Sequence, residues 1–185
     1  MLKYLNNVKE VYKMDLRNQK TIKNIRNAFI ELRSKKPLEK ITVKELSELA
    51  QVNKATFYRH YEDIYALSDE LENEMIKSCI DILPSADSLF QESGIKEMAN
   101  AFSSQSKLFN ILFSGSRKDV AIHKMHNYMM DKIIGHQPEY QKNLEKKIML
   151  TTLIHGMFQA YFTYANEDMD IFISSVCKLN KAIHE

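Results

Sequence analysis

Apolar residues recur every three or four positions near the start of the chain, a spacing that places side chains on one face of a helix. The positions that show it are Ile22, Ile25, Phe29 and Leu32. They predict a helix from about residue 18 to residue 34. Pro37 then interrupts the pattern, because proline disfavours helical backbone at the residue before it.

Two shorter helices and a fourth, longer one are predicted after the proline. Thr42 is a suitable N-cap, and Glu45 three residues later completes the capping-box signal for a helix of about two turns. The apolar face of this helix comprises Val43, Leu46, Leu49 and Ala50. Asn53 can cap the third helix and Asp63 the fourth, since both side chains accept hydrogen bonds from free backbone N–H groups. The face of the fourth helix comprises Ile64, Leu67, Leu71 and Met75.

The third helix contains the sequence KATFYRHY, residues 54–61. A longer helix followed by two short ones across a tight turn is the plan of a helix-turn-helix, whose second short helix enters the major groove of DNA. Phe57 and Tyr61 are predicted core residues. Ala55 and Tyr58 are expected to pack inward with Val52, although the hydroxyl of Tyr58 can instead reach a phosphate. The remaining polar side chains project elsewhere, namely Lys54, Thr56, Arg59 and His60.

Residues 41–67, ITVKELSELAQVNKATFYRHYEDIYAL, resemble the N-terminal DNA-binding domain of the tetracycline repressor (TetR) family. With the preceding helix, the resemblance covers about residues 18–75. It implies an all-α protein with a three-helix helix-turn-helix domain followed by a C-terminal helical domain for ligand binding and dimerisation. Two positions depart from the family pattern, with Gln51 in place of the turn glycine and Ile64 in place of a phosphate-contacting lysine.

The resemblance also implies roles for individual side chains. Thr42 and Tyr58 would contact phosphates, and His60 would lie beside the DNA backbone. The base-edge candidates are Lys54, Ala55, Thr56 and Arg59. Lysine and arginine can donate to guanine, and threonine can contact a thymine methyl group. Lys44, Arg26 or the basic N-terminal extension could supply the phosphate contact that Ile64 cannot make, and Asn53 completes the set of DNA-binding candidates.

Charge is distributed unevenly along the 185 residues. Residues 1–67 contain ten Lys and four Arg against eight acidic residues, a net charge of +6, whereas residues 68–185 carry a net charge of −4. A basic end on an acidic remainder is typical of a protein that meets a polyanion at one end. We therefore expect an N-terminal extension (1–17), a DNA-binding domain (18–67) and a helical regulatory and dimerisation domain (68–185). Cys79 and Cys177 match no CxxC spacing, which fits a reducing, cytoplasmic location.

Residues 148–166, IMLTTLIHGMFQAYFTYAN, contain no lysine, arginine or acid. A membrane span is the less favoured interpretation, because several polar side chains would face lipid. A broad apolar stripe and an amphipathic final segment instead predict half of a dimeric four-helix bundle. The predicted interface residues are Ile154, Phe158, Tyr161, Phe172, Val176 and Leu179. The alternative is a monomer that buries both faces internally.

A regulatory ligand is expected from the resemblance alone. It implies a homodimeric repressor that binds a palindromic operator on double-stranded DNA and is released by an unidentified small-molecule effector. Pocket candidates are Phe102, Phe109, Phe113, Met125, Met129, His155 and Phe158, although such side chains are more often plain core. A zinc site from His123 and His126 with His155 or Cys79 is less favoured than a surface role for these histidines, so no metal and no cofactor is predicted.

The sequence does not favour an enzyme. It contains no glycine-rich phosphate loop, no nucleophile elbow and no HExxH motif. The alternative to a DNA-binding regulator is a helical protein-interaction adaptor of the same fold that has lost DNA reading. Gln51, Glu62, Asp63 and Ile64 motivate this alternative, because the family pattern has a glycine and a lysine in this region.

Overall fold

The computed structural model describes residues 2–83, 88, 91–115, 117–164 and 167–184, and the side chains of residues 2–15, 139 and 182–184 lie outside that description. Helix is the regular structure throughout these ranges, which confirms the predicted all-α class. The helices are α1 (Leu2–Arg33), α2 (Val43–Leu49), α3 (Lys54–His60), α4 (Ile64–Ile80), α5 (Glu92–Ser104), α6 (Ser106–Leu112), α7 (Arg117–His136), α8 (Glu139–Lys142), α9 (Leu144–Tyr164) and α10 (Met169–His184). A short 3₁₀ helix, Leu38–Lys40, separates α1 from α2.

The chain divides into two compact units, residues 1–71 and residues 72–185. The division falls within α4, a few residues after the boundary predicted at residue 67. The expected N-terminal extension, residues 1–17, continues into the first predicted helix, so that α1 runs from Leu2 to Arg33. The sequence contains no glycine or proline before Pro37, and nothing in it interrupts the helical backbone over this length.

The core of the first unit receives apolar side chains from each of its four helices. Among its described residues, five apolar side chains are completely buried, Ile25 and Phe29 of α1, Leu46 of α2, Phe57 of α3 and Leu67 of α4. The sequence predicted all five as core residues, four of them from their helical periodicity. The periodicity was wrong for Leu49, which is 41% exposed, and Ile22 is only half-buried. A helix as short as α2 turns few of its apolar positions towards a single neighbour.

Side-chain caps fix the starts of α2, α3 and α4, as the sequence predicted. Thr42 Oγ1, Asn53 Oδ1 and Asp63 Oδ1 each accept a hydrogen bond from a backbone N–H group three residues later. The donors are Glu45, Thr56 and Ala66, at 3.3, 2.7 and 2.7 Å. Each cap satisfies one of the backbone donors that a helix start leaves free.

The turn between α2 and α3 is closed by a left-handed residue. Gln51 has a φ of 57°, and its N–H group donates to the carbonyl of Glu48 at 3.2 Å. The N–H group of Val52 donates to the carbonyl of Ser47 at 3.0 Å. These two bonds form a Schellman motif, in which glycine is the usual left-handed residue. The side chain of Gln51 makes this conformation cost about 1–2 kcal/mol more than it would cost glycine.

The second unit packs around α7 and α9. Completely buried side chains there include Ile95, Leu112, Met125, Met129 and Ile133. A buried carboxylate also lies in this unit. Glu72 accepts hydrogen bonds from Arg117 at 2.5–3.1 Å and forms an ion pair with Lys124 at 2.9 Å. Within the described ranges, no helix has both the length and the apolar composition needed to cross a membrane.

The strained turn yields a stability prediction. Replacing Gln51 by Gly removes the Cβ that disfavours a positive φ, and we expect it to raise the free energy of unfolding by about 1 kcal/mol. Gln51→Ala is the matched control, because alanine keeps the Cβ and therefore the strain. Urea unfolding followed by circular dichroism measures both variants. Equal stability of the glycine and alanine variants would contradict the strain at this turn.

Candidate functional site

The outer face of α3 carries most of the side chains that the sequence selected for DNA contact. Lys54, Ala55, Tyr58 and Arg59 are exposed, and Thr56 is half-buried. Tyr58 is 57% exposed despite its large apolar ring. Phe57 and Tyr61 are buried beneath this surface, as predicted. One short helix therefore presents two cations, a hydroxyl and a phenol to solvent while it is held from below by two aromatic rings.

The prediction that Ala55 and Tyr58 pack inward is wrong. Both side chains are exposed, because Phe57 alone fills the position of α3 that points into the core. Tyr58 instead rests edge-on against Phe57, with 5.5 Å between the ring centroids and 82° between the planes. This contact supports the ring of Tyr58 without burying it, and it leaves the residue on the surface.

A polar network fixes the end of α3. The hydroxyl of Tyr61 donates to Glu70 Oε1 at 3.0 Å, and Arg26 Nη2 lies 2.5 Å from the same oxygen. Arg26 Nε also reaches the hydroxyl of Tyr61 at 3.5 Å. Burial of the ring is the main cause that raises the pKa of Tyr61. The phenol therefore stays protonated, and it can act as the donor that joins α3 to α4.

The other predicted DNA contacts lie at the start of α2 and the end of α3. Thr42 and Lys44 are exposed. Asn53 is exposed as well, and its side-chain oxygen is occupied by the cap of α3. His60 is half-buried, and its Nε2 is shielded from solvent with no hydrogen-bond partner in the described part of the chain. Ile64 is a core residue with 5% of its surface exposed.

The cations of this surface are not neutralised by neighbouring acids. Lys44, Lys54 and Arg59 form no ion pair with any residue that the structure describes. Other cations of the same unit are paired, among them Arg26 with Glu70, Lys35 with Glu31 and Lys36 with Glu45. The positive charges of α2 and α3 therefore remain available to an anionic partner.

Sequence reasoning missed one exposed aromatic side chain near α3. Tyr65 lies in the first turn of α4 and is 53% exposed. Its position outside the apolar stripe of α4 is the signal that could have identified it. The Arg26–Tyr61–Glu70 network was also missed, since no spacing relates residues that are 35 and 44 positions apart.

The second unit contains a cleft of about 320 Å³ between α5, α6, α7 and α9. Four of its lining residues are aromatic, and two of these, Phe109 and Phe162, stack with their ring centroids 4.6 Å apart. The remaining lining is largely polar. The full lining comprises Phe102, Ser106, Phe109, Asn110, Lys118, Asp119, Ile122, Gln159, Tyr161, Phe162 and Thr163. Aromatic faces beside amide, hydroxyl and charged groups suit a planar ligand with polar substituents.

Only two of the predicted pocket residues, Phe102 and Phe109, line this cleft. Four others are core side chains with at most 2% of their surface exposed, namely Phe113, Met125, Met129 and Phe158. His155 is exposed and does not line the cleft. Apolar periodicity identifies buried side chains, but it carries no information about the polar residues that form most of this lining.

An apolar groove of about 380 Å³ runs along α9 and α10. Its exposed margins include Tyr164, Ile171 and Leu179, which are 58%, 64% and 50% exposed. Gly156 and Ala160 lie in the same groove, and small residues such as these allow another helix to approach closely.

The predicted interface residues divide between the groove and the interior. Phe172, Val176 and Leu179 line the groove, although the first two are largely buried. Ile154 and Phe158 are buried inside the unit, where Phe158 packs against Phe102 with 5.9 Å between ring centroids. Tyr161 is half-buried, and its hydroxyl lies 3.4 Å from the carbonyl of Ala99. The exposed apolar surface of α9 and α10 therefore lies beside the row of apolar residues that the sequence predicted as the interface.

Comparison of the chain with protein-family models and with curated proteins finds no match.

Proposed function

We propose that this protein is a sequence-specific, DNA-binding transcriptional regulator that reads DNA with α3. The observation that carries the proposal is the outer face of α3. Lys54 and Arg59 are exposed there without ion-pair partners among the described residues, and Tyr58 stands beside them although it is a large aromatic residue. Single exposed apolar residues are ordinary, but an aromatic ring between two unpaired cations suits contact with a phosphate backbone and base edges.

The dimensions of α2 and α3 are compatible with this role. The major groove of DNA is about 12 Å wide and admits one helix. In a helix-turn-helix the first short helix crosses the backbone while the second enters the groove. Thr42 and Lys44 at the start of α2 would then meet phosphates, and Lys54, Thr56 and Arg59 would face bases. Lys44 replaces the cation that Ile64 does not supply.

We further propose that the protein acts as a homodimer through the groove of α9 and α10. A single short helix contacts few base pairs, whereas a two-fold dimer doubles the contacts on a palindromic site. The groove supports this proposal because its exposed apolar margins, Tyr164, Ile171 and Leu179, would be buried by a second copy. The same patch on each subunit would meet itself, as a two-fold interface requires.

The cleft between α5, α6, α7 and α9 is the proposed effector site. Its mixed lining supports an aromatic effector with polar substituents, because the aromatic side chains supply apolar contact while Asn110 and Gln159 offer hydrogen bonds. In this proposal the protein is a cytoplasmic repressor, and binding of the effector releases it from its operator.

Two substitutions on α3 test DNA reading. Tyr58→Phe removes one hydroxyl, and we expect it to weaken binding by about 1 kcal/mol on every DNA sequence. Arg59→Ala should cost about 1–3 kcal/mol on the preferred site and much less on random DNA, because a base contact provides discrimination. Fluorescence anisotropy measures both affinities at one fixed salt concentration, since phosphate contacts make affinity strongly dependent on salt.

Lys107→Ala is the charge-matched control, because Lys107 is an exposed cation on α6 in the second unit. We expect this variant to bind both kinds of DNA as the parent does. If the Tyr58 and Arg59 variants also bind as the parent does, α3 is not the reading helix. The adaptor alternative would then be the better account of the protein.

The dimer makes a separate prediction. An aspartate at Ile171 places a charge in the groove in both copies, and losing the burial of isoleucine alone costs about 1.5–3 kcal/mol. We expect Ile171→Asp to raise the dimer dissociation constant at least about tenfold. Leu144→Asp is the control, since Leu144 is 72% exposed on α9 and does not line the groove. Sedimentation equilibrium measures the association, and a parent protein with the mass of one chain would overturn the dimer.

A further inference from the structure

The cleft between α5, α6, α7 and α9 is apolar where it is buried and polar where it is exposed. Phe102, Phe109 and Ile122 are buried, and Tyr161 and Phe162 are half-buried. The other residues of the lining are polar or charged, and all of them are exposed. A ligand in this cleft would therefore place an apolar part inward and its polar groups outward.

The exposed rim of the cleft carries two charges of opposite sign. Lys118 and Asp119 are consecutive residues in the first turn of α7, and both line the cleft. Neither forms an ion pair with another residue that the structure describes, whereas Arg117 beside them is paired with Glu72 at 2.5 Å. Both charges are therefore available to a ligand.

The aromatic part of the cleft is held in place by its own contacts. The ring of Phe102 lies edge-on to that of Phe109, with 6.3 Å between the centroids and 86° between the planes. The ring centroid of Tyr161 lies 5.8 Å from that of Phe102, and the hydroxyl of Tyr161 lies 3.4 Å from the carbonyl of Ala99. An apolar surface that is already formed lowers the cost of ordering side chains when a ligand binds.

The size of the cleft limits the ligand. Ligand pockets commonly enclose about 300 to 1,000 Å³. The volume of this cleft, about 320 Å³, lies near the lower end of that range. Such a volume suits one aromatic ring system with short substituents, and a ring placed against Phe102 would extend the existing cluster of rings.

We propose that the cleft binds a small zwitterion that carries one aromatic ring system, the chemical class of the aromatic α-amino acids. The carboxylate of the ligand pairs with Lys118, its ammonium group pairs with Asp119, and its ring lies among the aromatic side chains. This inference rests on the proposed effector site and names the class of ligand that the site selects.

The neighbouring positions of Lys118 and Asp119 explain why the ligand needs both charges. A ligand with a carboxylate alone would bring a second negative charge close to Asp119, and a ligand with an ammonium group alone would bring a second positive charge close to Lys118. Like charges in one site repel each other. A zwitterion instead forms a charge-assisted hydrogen bond with each residue, and such bonds are the stronger kind.

Binding of L-tryptophan tests the ligand class. The chain contains no tryptophan, so indole emission excited beyond the absorption band of tyrosine comes from the added ligand alone. We expect saturable binding to the full chain at neutral pH. Tryptamine lacks the carboxylate and indole-3-propionate lacks the ammonium group, and we expect each to bind at least about tenfold more weakly.

Two variants assign each charge to its partner. Lys118→Gln should weaken tryptophan binding at least about tenfold, but it should bind tryptamine no more weakly than the parent does. Asp119→Asn should weaken tryptophan binding to a similar extent, but it should bind indole-3-propionate no more weakly than the parent does. A general loss of structure would not produce this crossed pattern. Lys107→Gln and Asp131→Asn are the matched controls, because both residues are exposed and neither lines the cleft.

Three results would overturn the inference. They are no saturable binding of tryptophan up to about 1 mM, binding of either analogue as tightly as tryptophan, and unchanged tryptophan binding in the Lys118 and Asp119 variants. The titrations contain no DNA, so their failure leaves DNA reading by α3 standing. Tryptophan binding without any loss of affinity for the selected DNA would support the ligand class and overturn the effector role of the cleft.

Discussion

Burial of Phe57 is the contact on which the proposed reading surface depends. A helix of seven residues is far too short to be stable alone in water, so α3 exists because tertiary packing and caps hold it. Phe57 is completely buried, Tyr61 is anchored to Glu70, and Asn53 caps the first turn. With these positions fixed, the helical geometry leaves Lys54, Ala55, Tyr58 and Arg59 facing solvent.

Much of the first unit could be predicted from sequence because its signals are local. Each cap involves residues three positions apart, and the core positions of α1 and α4 follow a simple helical period. The orientation of Tyr58 could not be predicted in this way. In a seven-residue helix, a period of 3.6 does not determine which of several apolar residues points inward, and Phe57 takes that position because its ring fits the core. The left-handed conformation of Gln51 could not be predicted from the residue itself, because a side chain with a Cβ disfavours a positive φ.

Prediction was weaker in the second unit, where the relevant signals are not local. Most of the aromatic and methionine residues that the sequence selected for a ligand pocket are core residues instead. The cleft is defined by polar residues from α6, α7 and α9, and only the packed helices bring them together. The predicted interface residues divide between the groove and the interior for a related reason, because one face of α9 packs inside the unit while the groove with α10 remains exposed. Periodicity alone cannot distinguish the two faces.

Selection of bound fragments from a random DNA library is the most direct test of the central claim that α3 reads a specific DNA sequence. The full chain is incubated with the library at fixed salt, and the retained fragments are sequenced over several rounds. The account predicts enrichment of one inverted repeat, whose half-sites lie about one helical turn, roughly 10 base pairs, apart or a multiple of that. Retained fragments with the same sequence distribution as the input library would contradict it.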